Sequence, residues 1–205
     1  MSLAKVLGDF KADVAQCGTL ILHVQQKDAR GKSILPLIDQ KQVVVASFLN
    51  MSIAWENFLG NSLSEFMVGS KTLRGKKPVR YVAPTSRAKA REMILAGRRY
   101  FDYLDVNLVR TVCQMYFRTG YPYYSPISGS FLQLSDLKTM RNFAAHVTST
   151  TRASLSSVTQ RVFSAPQPGM DLYKFLIASD PASTGTIFLS YQSRLIVTAE
   201  LIANG

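Results

Sequence analysis

Arg141, Asn142 and His146 are the residues whose types and spacing could do chemistry on a phosphodiester. They lie in LKTMRNFAAHVTS, residues 137–149, with four residues between the arginine and the histidine. A guanidinium binds phosphate oxygens in pairs at any working pH, and an imidazole can accept or release a proton near neutrality. RNA carries its own nucleophile, the 2′-hydroxyl, so its cleavage needs only a base, an acid and a group that stabilises charge on the phosphoryl oxygens. The trio therefore predicts RNA cleavage without a metal.

We expect a long amphipathic helix over 130–163 to position this trio. At about 100° per residue, its apolar side chains fall in one wide arc that faces the core, namely Leu137, Met140, Phe143, Ala144 and Val147. Arg141 and His146 then lie at the margins of that arc, about 140° apart, with Asn142 and Ala145 between them. One arginine and one histidine do not supply a base, an acid and charge stabilisation together, so we expect a symmetric dimer to pair two copies of the motif.

The remaining apolar spacing indicates an all-α chain. Helices are predicted over 2–26, 37–68, 84–104, 106–120 and 186–203, joined by a polar connector at 28–36 and a basic one at 70–84. The segment 121–129 holds two prolines and a glycine and is predicted to be irregular, whereas 170–178 fits a short strand or a helical turn. We expect a bundle over 1–163 and an irregular C-terminal extension, 164–205, packed on the same domain.

The composition favours polyanionic partners. The chain has 24 Lys and Arg against 13 Asp and Glu, a net charge of +11. Nucleic acid is the first expectation and an anionic membrane surface the second; a basic protein with no such partner is the alternative. Ten basic residues and one acidic residue lie between Lys71 and Arg99. This segment is either a solvated connector and helix face or an RNA-binding track, whose candidate residues are Lys71, Arg74, Lys76, Lys77, Arg80, Arg98 and Arg99. Tyr121, Tyr123 and Tyr124 either stack on unpaired bases or pack on the bundle.

Other function classes lack their sequence signals. Asp9 precedes any apolar run that would resemble a signal peptide, and the uncharged run 43–55 is shorter than the ~20 residues of a membrane span. We therefore expect a soluble cytoplasmic protein without a membrane partner. Cys17 and Cys113 are expected to be buried free thiols, with one disulfide as the alternative. No metal-ligand spacing, Walker loop, dinucleotide fingerprint or nucleophile elbow is present, so no cofactor is expected.

An arginine followed by a polar residue, three further residues and a histidine, late in a basic helical chain, resembles the signature of the HEPN superfamily. The match is RNFAAH, residues 141–146, and the RiboL-PSP type of HEPN nuclease is the subgroup that it resembles most. The preceding stretch VVVASFLNMSIAWENFLGNSL looks like the second major helix of the family. Glu56 lies where such helices often carry an acidic residue, which makes it a candidate second-shell residue of the site.

The resemblance implies a bundle of four to five main helices that dimerises, with the motifs paired in a cleft. It also implies a metal-independent endoribonuclease of a toxin–antitoxin or phage-defence system, held in check by an inhibitory partner protein. His146 would be the acid or base, Arg141 would bind the scissile phosphate, and Asn142 would orient the site. A non-catalytic module that binds RNA or a protein is the alternative. Members controlled by adenylylation carry a tyrosine after the histidine; VTSTT follows here, so the resemblance does not extend to that control.

Overall fold

The computed structural model describes residues 2–205, and these residues are all-helical, without a β-strand, as the sequence predicts. A single 3₁₀ turn, Arg118–Gly120, follows the fourth helix. The α-helices are α1 Leu3–Val24, α2 Leu37–Val68, α3 Arg87–Leu95, α4 Val106–Tyr116, α5 Tyr124–Gly129, α6 Phe131–Ala145, α7 Ser149–Phe163, α8 Leu172–Ile177 and α9 Ile187–Asn204.

The chain forms two compact units. Among the described residues, unit 1 comprises 2–11, 54–135 and 194–205, and unit 2 comprises 12–53 and 136–193. The divisions between the units fall within α1, α2, α6 and α9, so each of these helices contributes residues to both cores. The basic segment 71–99 belongs to unit 1, whereas Arg141, Asn142 and His146 belong to unit 2.

Aromatic side chains form much of the core of unit 1. The ring centroid of Phe10 lies 5.1 Å from that of Phe58, which in turn lies 5.7 Å from that of Trp55. Phe66 packs edge-on against Tyr123 at 5.8 Å. Such large rings bury the most apolar surface per residue, and their repetition at helical spacing explains why α2 remains regular over its whole length. The apolar stripe that the sequence predicts along α2 is buried.

Unit 2 is built from the rest of α1 and α2 with α7, α8 and parts of α6 and α9. Its buried side chains include Val14, Phe48 and Phe175. Gln192 on α9 donates from Nε2 to the carbonyl oxygen of Val14 over 2.6 Å, across the position of Gly18. A Cβ atom at Gly18 would lie 2.8 Å from that nitrogen, so a larger residue there would displace the Gln192 side chain from this position.

By length and composition, α2 is the one helix within residues 2–205 that could cross a membrane. Core helices share these properties, and half of the most apolar window of α2 is buried inside the protein. The two cysteines are buried and free, as predicted, and burial raises the pKa of both thiols.

Three predicted helices differ in the structure. The predicted helix 106–120 ends at Tyr116, before the 3₁₀ turn. The predicted helix 84–104 is only Arg87–Leu95: Ser86 caps it, and the left-handed residues Ala96 and Gly97 end it. The prediction of one helix over 130–163 is wrong, because α6 ends at Ala145 and α7 begins at Ser149. Thr148 and Thr151 form a reciprocal capping box that starts α7.

The irregular segment predicted at 121–129 is partly helical. Tyr124–Gly129 forms α5, with Pro126 in the first turn. A proline is tolerated there because the first N–H groups of a helix have no acceptor within it. The ambiguous segment 170–178 is resolved in favour of helix, since Leu172–Ile177 forms α8, which Asp171 caps through the N–H of Lys174.

Candidate functional site

Arg141, Asn142 and His146 lie at the C-terminal end of α6. Arg141 and Asn142 are half-buried in its last turn, and His146 is the exposed residue directly after the helix. The His146 N–H still donates to the Asn142 carbonyl oxygen over 2.9 Å, which keeps His146 in helical register with Arg141 and Asn142. Arg141 donates from a terminal nitrogen to Oδ1 of Asn142 at 3.3 Å, so the amide orients the guanidinium. All three predicted residues are thus brought together at one helix end.

The turn after His146 differs from the predicted helix face. Val147, which was placed in the core, is 56% exposed because the chain leaves the helix before it. The Thr151 hydroxyl donates to the carbonyl oxygen of His146 over 2.7 Å and thereby fixes the turn from the α7 side. His146 therefore stands between the end of one helix and the start of the next, rather than on a continuous helical strip.

The turn after His146 joins the partly negative C-terminal end of α6 to the partly positive start of α7. The first turn of α7 holds no acidic residue and includes Arg152. Because the first N–H groups of a helix lack intrahelical acceptors, the start of α7 adds a partial positive charge close to His146. A phosphate group approaching His146 would meet this partial charge.

Asp136, one turn and a half before Arg141, anchors α6 within unit 2. Its carboxylate accepts hydrogen bonds from Arg161 of α7 at 2.5 Å and from the Tyr191 hydroxyl of α9 at 2.8 Å, and it is 5% exposed. Burial, followed by the nearby negative charge of Asp136, raises the pKa of Tyr191. The three side chains fix α6 against α7 and α9, and hence fix the position of the helix end that carries Arg141 and Asn142. Sequence reasoning missed them.

We expect Asp136→Ala to lower the free energy of unfolding by about 2–3 kcal/mol, since it leaves a buried hydroxyl without its acceptor and an arginine without its partner. Tyr191→Phe removes a single hydrogen bond and should cost about 1 kcal/mol. Urea unfolding measures both, with Asp13→Ala, an exposed carboxylate on α1, as the control. Equal stability of Asp136→Ala and Asp13→Ala would contradict the anchoring role.

Glu56 lies on α2 in unit 1, apart in the chain from the trio of unit 2. It is half-buried, and the Tyr100 hydroxyl donates to its carboxylate at 3.0 Å. This contact ties the segment after α3 to α2. The second-shell role of Glu56 stays a prediction.

The chain from Arg87 to Tyr100 runs along α2 in the direction opposite to that helix. Arg87 pairs with Glu65, Arg91 donates to Asn61 at 2.7 Å, and Tyr100 reaches Glu56. Each successive contact thus lies further towards the N-terminus of α2. Over the nine residues from Glu65 back to Glu56, the segment covers about 13 Å of helix.

The seven predicted RNA-binding residues have different environments. Arg80 donates to the Met67 carbonyl oxygen over 2.5 Å and lies against Gly69, so its guanidinium caps the end of α2. Lys76 lies over the ring of Tyr121, 4.0 Å from the centroid. The other five, which are exposed, are Lys71, Arg74, Lys77, Arg98 and Arg99. Arg80 thus has a structural role that the sequence did not indicate.

Within the part of the chain that is described, no group of three or more His, Cys, Asp or Glu side chains could hold a metal ion. Metal independence of the site stays a prediction. No protein-family model matches the chain, and no curated protein or solved structure is significantly similar to it.

Proposed function

We propose that the protein is a homodimeric, metal-independent endoribonuclease of the HEPN type that cleaves single-stranded or loop RNA. The observation that carries this proposal is the end of α6, where the half-buried Arg141 and Asn142 are followed within five residues by the exposed His146. The guanidinium is oriented by Asn142, the imidazole is accessible, and the start of α7 adds positive charge. This arrangement suits the binding and activation of a phosphodiester.

The proposed reaction is a transesterification. His146 accepts the proton of the 2′-hydroxyl as its oxygen attacks phosphorus, and the bond from phosphorus to the 5′-oxygen breaks. That 5′-oxygen leaves with a proton supplied by a second, protonated side chain, the imidazolium of His146 in the other copy. Arg141 binds the non-bridging oxygens, whose negative charge grows in the transition state. The products are a 2′,3′-cyclic phosphate and a 5′-hydroxyl.

A charge-free face of α2 in unit 2 supports the dimer. Residues 42–53 contain no ionisable side chain. Ile53 at the end of this run is 54% exposed, and Ile38, one turn before the run and beyond Asp39 and Lys41, is 70% exposed. Two copies of a chain with a net charge of +11 repel each other except where such a face meets its own mate.

The face is also self-complementary. If two α2 helices pair antiparallel about a two-fold axis between Val45 and Ala46, Ile38 of one copy lies opposite Ile53 of the other. Gln42 then lies opposite Leu49. Apolar residues thus close both ends of the contact, and the smallest side chain lies at the axis, where two helices approach most closely.

A non-catalytic RNA-binding module is the second candidate. It is favoured by one observation: the exposed cations of segment 71–99 belong to unit 1, and the trio belongs to unit 2. RNA bound by unit 1 would not need the trio.

Cleavage of RNA in EDTA tests the proposal. We expect the purified protein to cut single-stranded RNA in excess EDTA, and to leave 2′,3′-cyclic phosphate ends that phosphatase removes only after acid treatment. DNA and 2′-O-methyl RNA of the same sequence should stay intact, because they lack the attacking hydroxyl. RNA that is bound but remains intact would support the binding module, and equal cleavage of DNA would overturn the mechanism.

A further inference from the structure

Three aromatic rings of unit 1 lie beside cations. The Nζ of Lys76 is 4.0 Å from the centroid of the Tyr121 ring. The Cζ of Arg110 is 4.6 Å from the centroid of Tyr124 and 6.0 Å from that of Phe131. These contacts form one series along the segment that joins the 3₁₀ turn to α6, and cations interleaved with aromatic rings are what single-stranded nucleic acids bind.

Arg110 is held firmly in this series. Its terminal nitrogen donates to the Tyr124 hydroxyl over 2.6 Å, which keeps the guanidinium over the ring. Its Nε is buried without a hydrogen-bond acceptor in the protein. A buried N–H group without an acceptor costs free energy, so the guanidinium is not placed where its own hydrogen bonds are all satisfied. The position of Arg110 favours contact with rings over pairing with a carboxylate.

The rings differ in their availability to a ligand. Tyr123 is 1% exposed, packs against Phe66 and donates to Ser62, so it belongs to the core and cannot stack on a base. Tyr124 is half-buried beneath Arg110, and Phe131, the first residue of α6, is 38% exposed. Phe131 was not singled out from the sequence, because its position reads as an ordinary helix start.

The basic loop 71–77 contacts the aromatic series through Lys76, which lies over the ring of Tyr121. The Thr72 N–H donates to the Lys76 carbonyl oxygen and the Leu73 N–H to that of Ala203, both at 2.8 Å, so the loop is anchored on α9. Lys76 joins it to Tyr121. The same loop carries three exposed cations, Lys71, Arg74 and Lys77, which neighbour Lys76 in the chain.

We infer that Phe131, Arg110 and Tyr124 form a stacking site for an unpaired base of single-stranded RNA, with the cations of loop 71–77 on the adjacent phosphates. The inference rests on the proposed function for the identity of the ligand. A base in a duplex is already stacked on its neighbours, so the site selects single strands. The guanidinium offers a second flat surface and a positive charge.

The test measures binding of a labelled 2′-O-methyl RNA 12-mer, which the proposed reaction cannot cut, by fluorescence anisotropy. We expect Phe131→Ala to raise the Kd of the single strand at least fivefold, as loss of one stacked base should. Phe131→Leu, which keeps the apolar contact and protects folding, should give a similar increase. Leu132→Ala, on the neighbouring residue that is 48% exposed, should change the Kd less than twofold.

Two further measurements, the salt dependence of binding and the comparison of single-stranded with duplex RNA, distinguish stacking from binding by charge alone. Phe131→Ala should leave the salt dependence of binding unchanged, whereas Lys77→Ala should reduce it, because each lost phosphate contact lowers the counterion release. Equal effects of Phe131→Ala and Leu132→Ala, equal effects on single-stranded and duplex RNA, or no binding by the wild type would overturn the inference. Because no cleavage is measured, failure of the proposed nuclease leaves this result readable by itself.

Discussion

His146→Ala is expected to lower the rate of RNA cleavage by at least a hundredfold while leaving the free energy of unfolding almost unchanged. Removal of a general acid or base costs about 10²–10⁴ in rate. The imidazole is exposed and follows the end of α6, so no core contact is lost with it. Arg141→Ala should cost about 10²–10³, because the charge that grows on the phosphoryl oxygens loses its partner. Arg141→Lys should recover little, since an ammonium cannot bind two oxygens in the plane of a guanidinium.

Single-turnover cleavage of a labelled RNA in EDTA measures these rates, with thermal unfolding as the check on folding. His23→Ala is the matched control, because His23 is the other histidine of the chain and is exposed at the end of α1, also in unit 2. It should cleave at the rate of the wild type. Full activity in His146→Ala, or equal losses in the two histidine variants, would rule out a catalytic His146.

The longest helices could be predicted from the sequence almost to the residue. α2 begins after Pro36 and ends before Gly69, whose φ of +107° suits the end of a helix, and its apolar stripe is unbroken between these signals. The apolar pattern at 130–163 is also continuous, yet the helix breaks. The hydroxyl groups of Thr148 and Thr151 determine where the helix is interrupted, because a side chain that can cap a new helix competes with continuation of the preceding one.

In the candidate site, too, contacts between sequence neighbours were easier to predict than contacts between residues far apart in the chain. The helical position of Arg141 and Asn142 could be predicted because it depends on neighbouring residues, whereas the end of α6 before His146 was not predicted, and the functional role of the trio stays a prediction. The Asp136 anchor could not be predicted, since its partners lie 25 and 55 residues further along the chain. The structural role of Arg80 was equally hidden: among so many cations, nothing in the sequence marks the one that caps α2.

Ala46→Arg on the charge-free face of α2 is expected to convert the proposed dimer to a monomer and to lower RNA cleavage at least a hundredfold at submicromolar protein. Ala46 is exposed and lies at the proposed two-fold axis, where the two introduced guanidinium groups would meet. Light scattering after size exclusion measures the mass. Ala15→Arg adds the same charge at an exposed alanine of α1 and should remain dimeric and active.

Charge reversal makes the interface claim specific. Ala46→Glu alone should also be monomeric, because two carboxylates meet at the axis, but an equimolar mixture with Ala46→Arg should form a heterodimer and recover cleavage. The pairing restores opposite charges at one position while changing nothing in either trio, so recovery depends only on bringing two copies of His146 and Arg141 together. Monomeric Ala46→Arg that cleaves at the wild-type rate would show that one copy suffices, and a dimer that persists in both variants would place the interface on another face.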